Sequence, residues 1–349
     1  MMQMEDRDAI ISGFLAAEGW EDRFRAPLSG DASFRCYERL HDRERKAVLM
    51  NAPPDKEDVR PFWALACHLR ATGFSAPEVI AGNCDAGLLL LEDFGDELYS
   101  RVVEDNPDAE ELLYSAAVDL LVDLHQQPIA QNLSFAKGNR YRVPRYSEQL
   151  LLEEAQLFTT WYLPEVSVSA VAQGEKVVFT NLWRDLLCRV PATAPVLVLR
   201  DYHADNLIWL SERSGIARVG LLDFQDGVAG HPAYDLVSLL EDARRDVSPL
   251  LAGTMIERYV NGASNHGAAI DRDEFRIAYA ILGAQRNTKI IGIFTRLWRR
   301  DKKPIYLELI PRVWGLLARD LEHPALTDLK SWYDNQVPAA VRATVPGSI

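Results

Sequence analysis

The chain has 349 residues and a formal net charge of −13, with 48% apolar and 26% charged residues. This length exceeds most single cores and predicts two domains, while the acidic balance disfavours a nucleic-acid partner. No apolar run reaches the length of a bilayer span, and the acidic N-terminus lacks the apolar core of an export signal, so we expect no membrane association. Four scattered cysteines without CxxC spacing predict reduced thiols in a cytoplasmic protein.

The first 95 residues predict a β-rich domain. A short helix over 8–20 is followed by "SFRCYERL" and "RKAVLMNAP", which alternate like the two strands of a hairpin. "DVRPFWALACHLRATG" predicts a helix, because Pro61 suits its first turn and Gly73 its end. "PEVIAG" and "GLLLLEDFG" add two strands. We therefore predict one domain over residues 1–95, with a sheet of four or five strands and one central helix.

The remaining chain, residues 96–349, predicts a second and mainly helical domain. Three short β runs interrupt it, at 195–199, 206–210 and 218–224. Apolar residues recur at helical spacing over seven segments: 108–126, 145–162, 175–190, 233–245, 248–262, 272–299 and 304–320.

The three β runs carry polar residues at their ends. In "LVLRDYHADNLIWL", Asp201 follows the first run and Asn206 begins the second, and Asp223 ends the third, "RVGLLDF". Two carboxylates and an amide oxygen that converge would form a hard-oxygen site suited to Mg²⁺. The order D-x-x-x-x-N, strand, D-F is the phosphoryl-transfer arrangement of protein kinases. The alternative, that these aspartates only cap turns, fits the paired motifs less well.

These motifs resemble the aminoglycoside phosphotransferase family of kinase-like enzymes, which commonly shows H-G-D-x-H-x-x-N, a strand, I-D-W/F and then D-L-A. Asp201, His203, Asn206 and Asp223 match in place, and Asp235 matches the last element. The resemblance spans about residues 25–300. It implies an α+β, bilobal protein-kinase-like fold, in which a small antiparallel β lobe with one helix is joined to a larger, mainly helical lobe. It also implies ATP as co-substrate and Mg²⁺ as cofactor.

The kinase arrangement implies Asp201 as the catalytic residue and Asn206 and Asp223 as the metal ligands. Asp235 is expected to support the catalytic loop. The candidates for acceptor binding are His203, Asp205 and Gln225. Plainer alternatives stay open, since a loop histidine often bonds its neighbours and Gln225 could cap a turn.

The nucleotide side lacks both common glycine-loop motifs. A hairpin tip at 29–33 could lay N–H and hydroxyl groups over phosphates, and an extended segment at 92–94 could recognise an adenine edge. The alternatives are an ordinary turn and an ordinary central strand. The candidate nucleotide-binding residues are Ser29, Gly30, Asp31, Ala32, Ser33, Arg35, Glu92, Asp93 and Phe94.

Two departures from the family pattern matter. Leu199 and Arg200 stand where the family usually has His-Gly. Kinases also use a strand lysine to hold the α- and β-phosphates, and the corresponding strand here ends in Met50. Lys46 lies earlier on the same strand, and Lys56 and Arg35 are the candidates to supply the charge instead.

Within the family, "LSGDASFRCYER", "VLMNAPPDKED" and "LLLLEDFGDELY" are most similar to the bacterial enzymes that phosphorylate the anomeric hydroxyl of N-acetylmuramic acid and N-acetylglucosamine in peptidoglycan recycling. The resemblance thus implies a small amino sugar as the partner. One alternative is a kinase for another small hydroxyl compound, such as an aminoglycoside, choline or homoserine. The other is a pseudokinase that binds nucleotide without turnover, for which Met50 argues and the intact Asp201, Asn206 and Asp223 argue against.

Overall fold

The structure is a computed structural model, and it describes residues 2–20, 24–28, 34–42, 45–136, 138–167, 172–266 and 270–347. The backbone divides into two compact units. Unit 1 comprises residues 1–116, 130–143 and 204–227, and unit 2 comprises residues 117–129, 144–203 and 228–349. The predicted domain boundary at residue 95 stays a prediction.

Unit 1 contains a five-stranded antiparallel sheet in the order β1-β2-β3-β5-β4, together with two two-stranded hairpins, β6–β7 and β9–β10. Its strands are β1 (Phe24–Leu28), β2 (Cys36–Asp42), β3 (Arg45–Asn51), β4 (Val79–Asn83), β5 (Leu88–Leu91), β6 (Asn132–Phe135), β7 (Asn139–Arg142), β9 (Leu207–Trp209) and β10 (Val219–Leu221). Its complete helices are α1 (Met2–Ala17), α2 (Arg60–Ala71) and α3 (Tyr99–Asp105).

The four leucines of β5 are all buried because both faces of the sheet are covered. Leu88 and Leu90 belong to one cluster with Ile11 and Leu15 of α1. Since successive side chains alternate across a strand, the other two leucines point to the opposite face. The alternative that "LLLL" is an ordinary central strand is therefore confirmed, as β5 lies between β3 and β4.

The predicted helix at 58–73 and the hairpin of β2 and β3 are confirmed. Pro61 lies in the first turn of α2, and Gly73 follows it with φ +94°, a left-handed conformation that favours glycine. β1 and the β6–β7 hairpin were not predicted. β1 contains Pro27, and a proline normally argues against a strand except at the edge of a sheet, where β1 lies.

Unit 2 is mainly helical. Its one pair of strands among the described residues joins β8 (Val196–Val198) to β11 (Val228–Gly230) in antiparallel register. Its helices are α4 (Glu110–Gln126, from Ala117 onward), α5 (Glu148–Leu157), a π-helix (Phe158–Tyr162), α6 (Leu163–Val166), α7 (Gln173–Leu187), α8 (Ala233–Leu240), α9 (Pro249–Asn265), α10 (Arg272–Asp301), α11 (Ile310–Asp320), α12 (Thr327–Gln336) and α13 (Ala339–Arg342).

The 30-residue helix α10 is the centre of unit 2 and is buried over most of its length. It packs against α5, α8 and α11. Gly292 allows the closest of these approaches, since a Cβ there would lie 2.5 Å from the carbonyl carbon of Leu157. α10 is thus fixed in position along the α5 backbone.

One predicted helix is shorter than expected. The helix predicted over 233–245 ends at Leu240, because Glu241 and Asp242 leave the helix with their carboxyls buried. The Asp242 Oδ1 accepts the Arg244 N–H at 2.8 Å, which closes a turn where a further helical turn was predicted. Among the described residues, no helix has the length and apolar character needed to cross a bilayer.

Candidate active site

Asn206 and Asp223 lie beside each other in unit 1. β9 and β10 pair with Leu207 opposite Leu221, and one step further the Leu222 N–H donates to the Asn206 carbonyl at 2.9 Å. Asp223 follows at once, with φ +53°. A left-handed aspartate at a strand end is uncommon, and such conformations cluster at functional sites. The hairpin therefore brings both predicted metal ligands to the same end of one strand pair.

Within the part of the chain that the structure describes, the contacts of the Asp223 carboxylate include two with polar side chains. Arg35 Nη2 lies 3.4 Å from its Oδ1, and Gln225 Nε2 donates to the same oxygen at 2.9 Å. Arg35 is nearly buried, with 9% of its side chain exposed, whereas 38% of the Asp223 side chain is exposed. The predicted acceptor-binding residue Gln225 thus orients Asp223, and its contact with an acceptor stays a prediction.

The donor set fits Mg²⁺. Among the described residues, no group of three or more His, Cys, Asp or Glu side chains could hold a metal ion. Asn206 and Asp223 offer one amide oxygen and one carboxylate, which are hard ligands and few in number. Mg²⁺ is typically held by one or two carboxylates while it keeps waters and takes substrate phosphates, so this set suits a magnesium–nucleotide complex rather than a closed protein cage.

The segment that carries Asp201 is clamped by Asp235 within unit 2. Asp235 lies on α8 and is completely buried. Its Oδ2 accepts the Leu199 N–H at 2.6 Å and its Oδ1 accepts the Arg200 N–H at 2.8 Å. Burial raises the pKa of Asp235 to about 7, and the two backbone N–H groups oppose that rise. These contacts agree with the predicted supporting role of Asp235.

Arg200, which follows β8 directly, adopts φ +71°. Its guanidinium donates to Glu154 of α5 and lies 5.1 Å from the centre of the Tyr146 ring. Glu154 also accepts the Tyr146 hydroxyl at 2.6 Å, and its Oε1 lies 3.5 Å from the Lys289 ammonium. We name Glu154, Arg200, Lys289 and Tyr146 the Glu154 cluster. It holds the residue immediately before Asp201 by its side chain, as Asp235 holds it by its backbone.

The electrostatics around Asp201 favour its ionised form. Burial raises the pKa of this carboxyl, but the positive charges of Lys289, Arg286 and Arg200 outweigh burial, and the pKa lies below its ordinary value. Asp201 is therefore a carboxylate at neutral pH, able to accept a hydrogen bond.

His203 and Asp205 occupy different environments. His203 is 4% exposed, and its Nε2 lies 3.4 Å from the Arg244 guanidinium. Burial lowers the pKa of His203, which favours the neutral imidazole. Asp205 lies half-buried in the short turn Ala204–Asn206. The acceptor-binding roles of both residues stay predictions.

The nucleotide-binding predictions fall into two groups. Ser29, Gly30, Asp31, Ala32 and Ser33 lie outside the described residues. The second group comprises residues 92–94, which are described.

Two of the three side chains at 92–94 are engaged in ion pairs. Glu92 pairs with Arg70 and Arg213, and Asp93 with Arg39 at 2.8 Å. The Glu92 N–H donates to the Glu78 carbonyl at 2.9 Å, which leaves the backbone of Asp93 and Phe94 as the candidates for an adenine edge.

Met50 occupies the strand position at which kinases have the phosphate-binding lysine. Met50 is completely buried in β3, so its side chain is not exposed to solvent. Lys56 is half exposed and 3.6 Å from Asp55. Of the candidate cations, Arg35 alone has a contact with a predicted metal ligand among the described residues, through Asp223.

Sequence reasoning missed Glu154 and Lys289. Glu153 and Glu154 are adjacent in "LLEEAQL", and the helical pattern does not separate the exposed residue from the half-buried one. Lys289 did carry a signal, because "QRNTK" places five polar residues in a helix whose neighbours are apolar. A run of polar side chains in an otherwise buried helix indicates that these side chains are hydrogen-bonded or ion-paired inside the protein.

A model of the phosphotransferase enzyme family matches residues 25–272. The chain is 39% identical to an N-acetylmuramate/N-acetylglucosamine kinase of Caulobacter vibrioides, covering 98% of this chain and 100% of that protein. It is 34% identical to a kinase of the same name from Pseudomonas aeruginosa, covering 92% of each.

Solved structures share the fold at low identity. The GDP complex of aminoglycoside 2'-phosphotransferase-IIIa matches with a TM-score of 0.61 at 15% identity, over 89% of this chain and 99% of that one. A choline/ethanolamine kinase family protein from Mesorhizobium loti matches with a TM-score of 0.57 at 14% identity, over 95% and 99%. The predicted α+β, protein-kinase-like fold is confirmed.

Proposed function

The chain belongs to the phosphotransferase enzyme family, and from this premise we propose that it transfers the γ-phosphoryl group of ATP to the anomeric hydroxyl of N-acetylmuramic acid and N-acetylglucosamine. The observation that carries the proposal is the identity of 39% over the full length of a kinase named for these two sugars. The intact Asp201, Asn206 and Asp223 support turnover rather than a pseudokinase.

Asp201 would orient the acceptor hydroxyl and take its proton. A carboxylate with a lowered pKa is a weak base, but a loose phosphoryl-transfer transition state needs little proton removal early in the reaction. An anomeric hydroxyl is more acidic than an ordinary alcohol, so it suits this weak base. The Asp235 clamp and the Glu154 cluster would keep Asp201 in place, which matters because small displacements of a reacting group are costly.

Asn206 and Asp223 would hold Mg²⁺ with the nucleotide phosphates. The ion, when bound, neutralises charge on the phosphate oxygens. Arg35 is the best candidate for the cation that replaces the strand lysine, since it is held beside Asp223 and Met50 is buried. Gln225 would fix the orientation of the Asp223 carboxylate.

The proposed activity belongs in the cytoplasm, where ATP is available, and there it would serve peptidoglycan recycling. The four cysteines are all free thiols, which agrees with a reducing compartment.

The test is a panel of acceptors with Mg²⁺ and ATP, in which ADP release is measured and the phosphorylated position is assigned by phosphorus NMR. We expect 1-phosphates of N-acetylmuramic acid and N-acetylglucosamine, and no product with kanamycin, choline or homoserine. Asp201→Asn should lower kcat by about 100-fold or more, with little change in the affinity for ATP. ATP binding without turnover of any acceptor would instead favour the pseudokinase.

A further inference from the structure

The segment 92–94, which contains the candidate backbone contacts to adenine, is held against the β9–β10 hairpin. Arg213 lies in the turn between β9 and β10, and its Nη2 donates to Glu92 Oε1 at 2.6 Å. Its guanidinium carbon lies 5.0 Å from the centre of the Phe94 ring. The Phe94 ring also lies on β10, because a Cβ added to Gly220 would be 3.0 Å from the Phe94 Cδ2. Both ends of the segment are therefore held by one hairpin.

Arg213 is itself fixed by contacts within unit 1. Its Nη1 donates to Ser75 Oγ at 2.7 Å, and the Ser75 hydroxyl donates to the Ala217 carbonyl at 2.6 Å. The Ser75 carbonyl accepts the Leu221 N–H of β10 at 2.7 Å. The Arg218 Nε donates to the Arg213 carbonyl at 2.8 Å, inside the same turn. The guanidinium is thus bound through both of its Nη atoms, and its planar fork fixes the direction of each bond.

The β9–β10 hairpin also carries both proposed metal ligands. Asn206 precedes β9 and Asp223 follows β10, so these two residues lie at the open end of the hairpin and Arg213 lies at its turn. Backbone hydrogen bonds hold the two strands against one another, and strands of three residues span about 10 Å. A nucleotide whose phosphates contact the metal ligands and whose base contacts residues 92–94 would therefore be bound at both ends by one structural element.

We propose that Arg213 is a positioning residue that fixes the backbone of Asp93 and Phe94 for recognition of the amino edge of adenine, and that it thereby sets the preference for ATP over nucleotides with a 6-oxo base. The 6-amino group of adenine donates a hydrogen bond, whereas a 6-oxo group accepts one. A backbone segment held in one position can match the donor and reject the acceptor, while a mobile segment adapts to either. This inference rests on the proposed function and assigns a residue that sets the choice of phosphoryl donor.

The test compares ATP with inosine triphosphate, which differs from ATP at that edge of the base, with N-acetylglucosamine as the acceptor. For the wild-type protein, kcat/KM should be about 10- to 100-fold higher with ATP. Arg213→Met should lower this ratio about fivefold or more, because the segment is no longer ordered before the base binds, while KM for the sugar stays as in the wild type. Arg213→Lys, which keeps the charge but not the planar fork, should give an intermediate ratio. A purely structural role would lower turnover with both nucleotides by the same factor, and an unchanged ratio in Arg213→Met would overturn the inference.

Arg70→Met is the matched control. Arg70 of α2 also pairs with Glu92, at 3.0 Å, and it donates to the Ala76 carbonyl and to Glu78. Within the described ranges, no hydrogen bond or ring contact joins Arg70 to Phe94 or to the β9–β10 hairpin. The control removes one cation from the same carboxylate and should keep the wild-type ratio of ATP to inosine triphosphate. An equal fall in both variants would overturn the inference, because the loss of charge beside Glu92 would then explain the change.

Calorimetry with each nucleotide and Mg²⁺, without the sugar, gives a second readout of the same preference. If Arg213→Met does not fold, Arg213→Lys decides the question: a lowered ratio supports the inference, and the wild-type ratio overturns it. A wild-type protein that phosphorylates neither N-acetylmuramic acid nor N-acetylglucosamine would refute the proposed function, and the calorimetric ratio would still test Arg213. Turnover of the sugars with no preference between ATP and inosine triphosphate would refute only the role of Arg213.

Discussion

Glu154→Gln is the perturbation that tests most directly how the segment before Asp201 is held. Glu154 is the carboxylate shared by Arg200 and Lys289, and it also accepts the Tyr146 hydroxyl at 2.6 Å. The exposed fractions of the three charged side chains are 11%, 19% and 9% for Glu154, Arg200 and Lys289. Glutamine keeps the shape of the side chain and removes its charge, so two nearly buried cations would lose their shared counter-ion.

The expected loss of stability is large. Removing one partner of a buried ion pair costs about 3–5 kcal/mol, because the other charge stays buried without compensation. For a chain of 349 residues, an unfolding entropy of about 2.1 cal/mol/K per residue converts this loss into a fall in Tm of about 4–7 °C. The remaining cations would turn toward Asp201, so we also expect kcat to fall while KM for Mg–ATP changes little.

Glu153→Gln is the matched control. Glu153 precedes Glu154 on α5 and is exposed. From the residues that the structure describes it accepts a single hydrogen bond, from the Gln149 amide at 2.7 Å, four residues away on the same helix. Its loss should cost under about 0.5 kcal/mol. The assay is thermal and urea unfolding of both variants with steady-state kinetics. Equal stability of the two variants, within about 1 kcal/mol, would show that the Glu154 cluster contributes nothing beyond a surface charge.

Three further outcomes are expected. Gly292→Ala should destabilise the protein by about 3 kcal/mol in urea unfolding, since its Cβ would lie 2.5 Å from a backbone carbon of α5. Gly315→Ala, with no atom near its Cβ, should stabilise the protein by about 0.5–1 kcal/mol in the same assay. Equal effects of the two substitutions would contradict the packing argument. A pKa of Asp235 near 7 means that the folded protein keeps a proton that the unfolded chain releases near pH 4. This carboxyl therefore lowers the free energy of unfolding by about 4 kcal/mol as pH rises from 4 to 7. Asp235→Asn should remove this pH dependence of the free energy of unfolding, and an unchanged pH dependence in the variant would refute the assignment to Asp235. Arg35→Gln should raise KM for Mg–ATP about tenfold in ADP-release kinetics. Lys56→Gln, at an exposed position, should leave this KM unchanged. A rise in KM for Lys56→Gln alone would assign the phosphate contact to Lys56 instead.

Local patterns predicted much of unit 1 because its elements are short and marked by turn residues. β2, β3 and α2 follow from alternation, Pro61 and Gly73. β1 did not follow, because Pro27 argues against a strand and only the edge position permits it. The close approach of Asn206 and Asp223 was predictable, since a hairpin between two short β runs fixes its own register.

The surroundings of Asp201 were less predictable, because they depend on contacts distant in sequence. Glu154 and Lys289 are separated by more than 130 residues and meet through the packing of α5 on α10. No periodicity distinguishes Glu154 from Glu153, although one is an ion-pair centre and the other a surface residue. Asp235 could be predicted because it belongs to a motif. Glu154 and Lys289, which also hold the segment before Asp201, belong to no motif.

The departure at Arg200 has a physical explanation in these contacts. Its φ of +71° is the conformation that glycine adopts most readily, and the related enzymes usually have glycine at this place. A non-glycine residue there costs about 1 kcal/mol or more of backbone strain. The Asp235 carboxyl accepts the Arg200 N–H at 2.8 Å, and the guanidinium is bound by Glu154 and stacked near Tyr146. Since a hydrogen bond to a charged group contributes about 1.5–3 kcal/mol, the contact between the Arg200 guanidinium and Glu154 offsets the strain. The chain has therefore replaced a flexible residue before Asp201 by one fixed at both its backbone and its side chain, and the Glu154 cluster is what makes that replacement stable.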